Sequence, residues 1–330
     1  MPVSQPLLKP PALQEGDTVG VAASASPLAD KGYLVRGIRF WRRLGYRVRL
    51  GSSLRKALQL EAAAGQPAGY LAGSDAGRLA DLHQMFRDPE VKALACLRGG
   101  YGTLRLLAGL DYDLIRSRPK ILVGYSDITA LHLALQKRTG LVTFHGPMLY
   151  PELGGPEVPA YTRASLLRAL TMAVPLGTIP PAPGLPPPVT INPGRAEGPV
   201  TGGNLSLVVA TLGTPFEIDT RAKILFLEEV DEAPYRIDRM LTQLKLAGKL
   251  QAAAGIVLGF FTRCGEEGVS PALLDIITAL LRPLHIPCFY GLPAGHLSLQ
   301  ATLPLGIRAH LDATACTLTY LETAIAPVCK

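Results

Sequence analysis

Short apolar runs alternate with segments of helical periodicity over the first 150 residues, and this alternation restricts the fold more than any other feature of the sequence. The apolar runs predict strands at residues 18–23, 46–50, 91–97, 121–123 and 141–144. Helices are predicted at residues 31–44 and 75–86. Strands that alternate with helices favour a parallel, doubly wound sheet. We therefore predict an α/β protein whose N-terminal domain, residues 12–150, is a flavodoxin-like parallel sheet.

The composition changes between residues 175 and 194, where prolines crowd together. This stretch predicts an extended, stiff linker within a connecting segment at residues 151–198. Beyond it, the pattern predicts strands at 224–227, 255–261 and 288–290, helices at 205–212 and 235–246, and a hairpin at 306–321. A smaller C-terminal α/β domain is therefore predicted at residues 199–325.

Residues 121–127 read Ile-Leu-Val-Gly-Tyr-Ser-Asp and lead into a helical segment. The apolar run predicts a buried strand, Gly124 ends it, and Asp127 is suited to begin a helix. A serine on a sharp strand-to-helix turn exposes its hydroxyl for nucleophilic attack, with the next backbone N–H free to bind an oxyanion. The stretch resembles a nucleophile elbow, although Ile128 stands where the second glycine of G-x-S-x-G would be. The alternative is that Ser126 and Asp127 only cap the helix.

Three polar or glycine-rich segments leave predicted strands where doubly wound sheets bind ligands, at residues 24–26, 98–102 and 124–127. The second of them reads Arg-Gly-Gly-Tyr-Gly, and such glycines let a backbone approach a ligand and direct N–H groups into a site. No G-x-G-x-x-G follows the first strand, so a dinucleotide site is not predicted. The glycine-rich segment is either a phosphate-binding turn or a plain tight turn.

A hydroxyl nucleophile needs a base, and the base needs an orienting acid. His145 ends a predicted strand and His296 lies in a glycine-rich loop, whereas the other histidines lie in segments that favour packed or surface positions. The acid candidates are Glu228 and Glu229, at the end of an apolar strand. Because successive side chains of an extended segment point to opposite sides, at most one of the two faces a given pocket, and which one remains open.

The net charge and the cysteine content limit the binding partners and the cellular compartment that the sequence favours. The net charge of +7 suits nucleic acid, an anionic surface or an acidic small substrate. The basic residues form no run, so we expect no nucleic-acid partner. The chain contains no run of eighteen apolar residues and opens on no secretory pattern, so neither a membrane span nor a signal is expected. The scattered cysteines favour reduced thiols in a cytosol and no metal site, and they are Cys96, Cys264, Cys288, Cys316 and Cys329.

Several blocks of the sequence belong to one pattern. They are residues 98–102, 124–127, 202–204, 225–228, 232–239 and 295–296. Together they resemble the LD-carboxypeptidase family of serine peptidases, and the resemblance runs from about Asp17 to Gly306. That family includes the cytoplasmic muramoyltetrapeptide carboxypeptidases of bacterial cell-wall recycling and the microcin C immunity hydrolases.

The resemblance implies a Ser-Glu-His triad divided between the two domains. Ser126 would be the nucleophile, His296 the general base and then acid, and Glu228 the group that orients the imidazole. The backbone N–H groups of Gly100 and Asp127 would form the oxyanion hole. The active site would then lie in the cleft between the domains.

The resemblance also implies substrate contacts, a location and an assembly. Tyr101, His145, Asn204 and Arg236 occupy family motif positions and could line the pocket. For Arg236 the alternative is a surface pair with Glu232, one helical turn away. A cytoplasmic homodimer without cofactor or metal is implied.

Three functions are compatible with these sequence features. The first is a serine-type LD-carboxypeptidase that removes the terminal D-Ala of the muramoyl tetrapeptide in peptidoglycan recycling. The second is an immunity-type hydrolase that cleaves a peptidyl-nucleotide amide, which would need an aromatic platform for the base; Trp41 instead has the position of a core helix residue. The third is a non-catalytic module that binds a small ligand.

Overall fold

The computed structural model describes residues 6–28, 30–52, 54–55, 69–265 and 272–327. Within them the strands, numbered in chain order, are β1 (Thr18–Ala22), β2 (Arg47–Leu50), β3 (Val91–Cys96), β4 (Ile121–Gly124), β5 (Thr143–His145), β6 (Gly177–Thr178), β7 (Val189–Asn192), β8 (Arg195–Asn204), β9 (Ile224–Val230), β10 (Gly255–Thr262), β11 (Cys288–Tyr290), β12 (Leu303–Leu305), β13 (Arg308–Asp312) and β14 (Thr317–Tyr320). The α-helices are α1 (Lys31–Arg43), α2 (Asp75–Arg87), α3 (Tyr112–Ser117), α4 (Thr129–Thr139), α5 (Ala160–Thr171), α6 (Leu205–Ala210), α7 (Pro234–Leu246), α8 (Lys249–Ala252) and α9 (Leu273–Leu281).

The first sheet has the strand order β2-β1-β3-β4-β5-β12. Strands β1 to β5 run parallel to their neighbours, and their order is that of the flavodoxin-like fold, which confirms the predicted class. Strand β12 pairs antiparallel with β5, with Leu303 opposite His145. A strand from the C-terminal part of the chain therefore completes the N-terminal sheet, a contribution that the sequence pattern did not indicate.

The centre of the first sheet is buried on both faces. All residues of β1 and β4 are buried, as expected for parallel strands covered by helices. Helix α1 buries Leu34 and Trp41, and helix α2 buries Leu82 and Phe86. Each such side chain contributes about 1.5–3 kcal/mol when removed from water. The sheet is thus a rigid frame for the loops at its carboxyl edge.

The second sheet has the strand order β6-β14-β13-β8-β9-β10-β11-β7. Its central strands β8, β9, β10 and β11 are parallel. The predicted C-terminal hairpin is confirmed, since β13 and β14 pair antiparallel with Leu311 opposite Leu318. Glu228 lies in β9, and the loop that carries His296 follows β11, so both come from the carboxyl ends of parallel strands.

The proline-rich segment is more than the predicted linker. Strands β6 and β7 come from it, and they form the two outer edges of the second sheet. Strand β6 pairs with β14 and strand β7 with β11, both antiparallel. Prolines are tolerated beside edge strands because one row of backbone groups there has no ladder partner. Composition alone therefore predicted an extended chain but missed its pairing.

Two glycines at the end of β8 allow close contacts, Gly202 with the neighbouring strand β9 and Gly203 with the helix α4 of the first sheet. A Cβ on Gly202, whose φ is +121°, would lie 1.9 Å from the carbonyl oxygen of Phe226. A Cβ on Gly203, whose φ is +138°, would lie 2.5 Å from Oγ1 of Thr129 at the start of α4. The same hydroxyl accepts the Asn204 N–H at 3.0 Å. The close approach joins the second sheet to the first turn of the helix that follows Ser126.

Two further predictions concern the state of the cysteines and the presence of membrane-spanning helices. Cys96, Cys264, Cys288 and Cys316 are free thiols, and Cys329 lies outside the described residues. Among the described helices, none has both the length and the apolar character needed to cross a bilayer.

Candidate active site

Ser126 occupies a strained turn between β4 and α4. Its φ is +62°, in the left-handed region that L-residues with a Cβ rarely adopt. A 3₁₀ turn over Ser126–Ile128 then leads directly into α4. Such a backbone conformation costs about 1–3 kcal/mol and persists where the surrounding structure imposes it, most often at functional sites. The predicted strand–turn–helix geometry is therefore present, and it is sharper than a simple helix cap requires.

Contacts with neighbouring residues hold the turn at Ser126 in place. A Cβ on Gly99 would lie 2.8 Å from the Cβ of Ser126, so only glycine fits where the two loops touch. Nε2 of the buried His132 donates to the carbonyl of Gly124 at 2.9 Å, and burial lowers the pKa of this histidine to about 3. Ile128, which replaces the second glycine of the elbow motif, is fully buried. Packing of the Ile128 side chain is therefore found here in place of the second glycine of a G-x-S-x-G elbow.

The three predicted loops meet at one edge of the first sheet. Ser26 N–H donates to the carbonyl of Gly99, and the Ser26 hydroxyl accepts the Tyr101 N–H at 3.1 Å. The buried carboxylate of Asp127 accepts the Thr103 N–H at 2.9 Å, which ties the glycine-rich loop to the elbow. The predicted oxyanion donors, the N–H groups of Gly100 and Asp127, therefore belong to two adjoining loops.

Glu228 and His296 form a buried hydrogen-bonded pair. Oε2 of Glu228 lies 2.7 Å from Nδ1 of His296, and the carboxylate is fully buried while the imidazole is 16% exposed. Gly295 makes the approach possible, since a Cβ there would lie 2.8 Å from Oε2 of Glu228. Its φ of +115° also favours glycine. With Nδ1 facing the acid, Nε2 is left as the nitrogen that can accept a proton.

The electrostatics of this pair suit a base that acquires charge during a reaction. Burial would lower the pKa of His296, but the charge of Glu228, the hydrogen bond to it, and the charges of Glu229 and Glu152 raise the pKa above its usual value. Burial would likewise raise the pKa of Glu228, but the charge and hydrogen bond of His296, with His145, keep the pKa below its usual value. The carboxylate thus stays ionised and stabilises the imidazolium.

The two adjacent carboxylates point to opposite sides of β9, as the alternation predicted. Glu229 accepts from Nδ2 of Asn204 at 2.6 Å and from the Ser206 hydroxyl at 2.6 Å, on the side of α6. Glu228 is therefore the carboxylate that faces His296.

Tyr125 joins the two halves of the site. It directly precedes Ser126, and its ring packs edge-on against the ring of His296, with the centroids 4.7 Å apart. The elbow of the first sheet and the Glu228–His296 pair of the second therefore lie next to each other. Acyl transfer by a serine needs a nucleophile close to its base.

Of the residues predicted to bind substrate, Tyr101 and Arg236 are exposed, whereas Asn204 is buried. Tyr101 is 47% exposed beside the glycine-rich loop, so its ring is open to a ligand. Arg236 is exposed at the start of α7 and pairs with Glu232 at 3.4 Å, the surface alternative predicted for it. Asn204 is buried, with its amide bonded to Glu229 and its oxygen capping α6.

His145 needs a correction. Its side chain is fully buried, and its ring packs against Phe226 with the centroids 4.9 Å apart. Burial lowers the pKa of His145 to about 4. A residue without exposed surface cannot line the pocket, so His145 supports the site from behind. The sequence pattern placed it at a strand end but could not indicate that Tyr125 and, from the second sheet, Phe226 pack against its ring.

Sequence analysis missed Tyr125 and Glu152. The Tyr125 hydroxyl donates to Oε1 of Glu152 at 2.6 Å, and both side chains are buried beside His296. Tyr125 lay within a recognised block and could have been found there. Glu152 follows a proline in an irregular segment and carries no pattern that points to a site.

A metal cluster and a second cavity would be the alternatives to a site at Ser126. Among the described residues, no three His, Cys, Asp or Glu side chains are grouped as a metal site would need. A cavity of about 820 Å³ lies at the far end of α4, lined among others by Gln136, Lys223 and Lys249. None of the predicted triad residues borders this cavity, so the region around Ser126 and the Glu228–His296 pair is the better candidate for chemistry.

A strained serine on one α/β sheet and a buried Glu–His pair on the other define a serine hydrolase. Comparisons with known proteins agree with this class. The family model described as the LD-carboxypeptidase N-terminal domain matches residues 19–146, and the model of the corresponding C-terminal domain matches residues 197–311. The chain belongs to the LD-carboxypeptidase family.

Individual relatives cover nearly the whole chain. A Bacillus subtilis protein named "Probable murein peptide carboxypeptidase" is 46% identical over 319 residues, 96% of this chain and 95% of that protein. The structure of muramoyltetrapeptide carboxypeptidase from Oxalobacter formigenes is 30% identical with a TM-score of 0.77, covering 92% of this chain and 97% of that one. The microcin C7 self-immunity protein MccF of Escherichia coli is 29% identical over 94% of each chain, and its unliganded structure has a TM-score of 0.84 over 97% of this chain and all of that one.

Proposed function

We propose that this protein hydrolyses the amide bond before the terminal D-alanine of a muramoyl tetrapeptide. An example is the stem peptide L-Ala-γ-D-Glu-meso-diaminopimelate-D-Ala, in which the scissile bond joins an L-centre to a D-centre. The single observation that carries the proposal is the buried Glu228–His296 pair, 2.7 Å apart, which packs against Tyr125 next to the strained Ser126. The identity of 46% to a protein named for murein peptides supports the substrate class.

In the proposed reaction Oγ of Ser126 attacks the carbonyl carbon of the third stem residue while Nε2 of His296 takes the hydroxyl proton. The N–H groups of Gly100 and Asp127 bind the resulting oxyanion, an effect of about 2.7–4 kcal/mol per donor. The C–N bond then breaks, and His296 returns the proton to the amine of D-alanine. Water, deprotonated by the same imidazole, attacks the acyl-enzyme, and the released Ser126 hydroxyl recovers its proton.

The direct test is D-alanine release from purified tetrapeptide, measured by mass spectrometry with and without a chelator. We expect one D-alanine per tetrapeptide and no effect of the chelator, because the proposed residues complete the chemistry without a metal. Stem peptides with lysine in place of diaminopimelate, run in parallel, define the preference at the third position. A pentapeptide ending in D-Ala-D-Ala is the matched control and should not be cleaved. Absence of release from folded protein would contradict the muropeptide assignment.

A peptidyl-nucleotide substrate is the second candidate, because the MccF fold matches with a TM-score of 0.84. Trp41, the only tryptophan in the sequence, is fully buried and cannot stack on a base. Tyr70 and Tyr101 are exposed, with ring centroids 5.9 Å apart, and they are the aromatic surface such a substrate would need. Release of a sulfamoyl nucleoside from its aminoacyl conjugate, at a kcat/KM above that for the tetrapeptide, would favour this candidate.

We further propose that the protein acts as a cytoplasmic homodimer, as the family resemblance implies. Light scattering of the eluting protein should give twice the mass of one chain at micromolar concentration. A single-chain mass over that range would contradict the dimer. Fractionation of the native cells, with the activity followed in the soluble and envelope fractions, tests the location.

A further inference from the structure

A second buried carboxyl group lies behind the proposed base. Glu152 belongs to the helical turn Leu149–Leu153 that follows β5, and it is only 8% exposed. Its Oε1 accepts the Tyr125 hydroxyl at 2.6 Å, and its Oε2 accepts the Met148 N–H at 3.2 Å. Both carboxyl oxygens therefore accept a hydrogen bond. The shorter of the two comes from Tyr125, on the side of the active site.

Tyr125 carries that contact to the base. The tyrosine is 2% exposed and directly precedes Ser126. Its ring is fixed at one end by Glu152 and lies edge-on against the His296 ring at 4.7 Å. Because the hydroxyl is anchored, the ring cannot rotate freely away from the imidazole. His296 is therefore held on one side by Glu228 and on another by a tyrosine whose position depends on Glu152.

The charges around His296 come from several elements. Glu228 and Glu229 lie on β9, Asp231 follows that strand, His145 ends β5, and Glu152 lies beyond β5. Of these, the three glutamates raise the pKa of His296. Burial raises the pKa of Glu152 to about 7, in spite of its hydrogen bonds to Tyr125 and Met148 and of the attraction of His296. A negative charge at Glu152 and a positive charge at His296 therefore favour each other.

We propose that Glu152 is a positioning residue of this active site: through Tyr125 it holds the His296 ring in place, and its carboxylate adds to that of Glu228 in stabilising the imidazolium. The inference rests on the proposed role of His296 as the base. Because Glu152 is only 8% exposed and hydrogen-bonds to the buried Tyr125, we expect it to act through Tyr125 and not by contact with the substrate.

The test compares Glu152→Gln and Tyr125→Phe with the control Glu157→Gln, which removes an exposed carboxylate from the same segment. Glutamine keeps an acceptor for the Tyr125 hydroxyl but removes the charge. We expect kcat for the tetrapeptide to fall about tenfold with KM nearly unchanged, and the acid limb of the pH profile to move to lower pH. Tyr125→Phe should also lower kcat, because it frees the ring, and Glu157→Gln should match the wild type.

The closing measurement is an NMR titration of the His296 ring, assigned by the loss of its signals in His296→Gln. Loss of a neighbouring negative charge lowers the pKa of an imidazole, so the midpoint should fall in Glu152→Gln and stay unchanged in Glu157→Gln. This readout needs no substrate, so it tests the inference even if the tetrapeptide is not cleaved. An unchanged midpoint in folded Glu152→Gln, with only a lower Tm, would overturn the proposal. If that variant does not fold, Glu152→Ala, which also removes the charge, is titrated under the same criterion, and a wild-type kcat in Tyr125→Phe would overturn the positioning role.

Discussion

Replacing Ser126 with alanine is expected to reduce D-alanine release by about 10³- to 10⁶-fold, the range found when a serine nucleophile is removed from a triad. The loss arises because the variant lacks the hydroxyl that is proposed to attack the scissile carbonyl. Alanine carries the same Cβ as serine, so the φ of +62° imposes no new steric cost and the fold should be retained. Single-turnover kinetics of the wild type and the variant, with circular dichroism of both, measure the effect.

The matched control for this prediction is Ser117→Ala. Ser117 is an exposed serine at the end of α3, where its hydroxyl donates to the carbonyl of Leu114 at 2.9 Å. We expect wild-type rates from this control. Release by Ser126→Ala at a rate within tenfold of the wild type would show that the nucleophile lies elsewhere and that the turn has another purpose.

Replacing Glu228 with glutamine is expected to lower kcat by about 10⁴-fold, the loss that follows when the acid of a triad becomes an amide. An amide can present its NH2 group to Nδ1 of His296 and so select the wrong tautomer. It also removes the charge that raises the pKa of His296. Since the base acts only when neutral, wild-type kcat/KM should fall as the pH drops through the raised His296 pKa. The residual activity of the variant should therefore persist to lower pH.

Glu229→Gln is the informative partner of that variant. Its carboxylate binds Asn204 and Ser206 on the other side of the strand, so the expected result is a lower Tm and a loss of kcat that stays below about tenfold. Equal losses of kcat in the two variants would contradict the assignment of Glu228 as the acid. A pH–rate profile of each, measured over the range in which both remain folded, distinguishes the outcomes.

The local chemistry of the site could be predicted from short stretches of sequence. An apolar run followed by Gly-Tyr-Ser-Asp predicted the turn that the structure shows at Ser126, because strand, breaker and helix start are encoded by adjacent residues. The opposite directions of Glu228 and Glu229 also followed from local geometry, since side chains alternate along any strand. Family resemblance then identified which of the two glutamates and which of the histidines belong together.

The pairing of distant segments could not be predicted in this way. Strands β6 and β7 looked like a linker because edge strands tolerate prolines and need no apolar alternation of their own. Strand β12 crosses from the C-terminal part of the chain to the first sheet, where Leu303 pairs opposite His145. Pairing of this kind depends on surfaces that exist only after both sheets have formed.

The sequence by itself determined the class of fold and the turn at Ser126, because each depends on periodicity or on a block of neighbouring residues, and the family resemblance supplied the proposed acid and base. Only the tertiary structure decided that Tyr125 packs on His296, that Glu152 anchors Tyr125 and that His145 is closed to a ligand. These contacts join residues from different strands and loops. Their energies depend on burial and distance, which no single stretch of chain specifies.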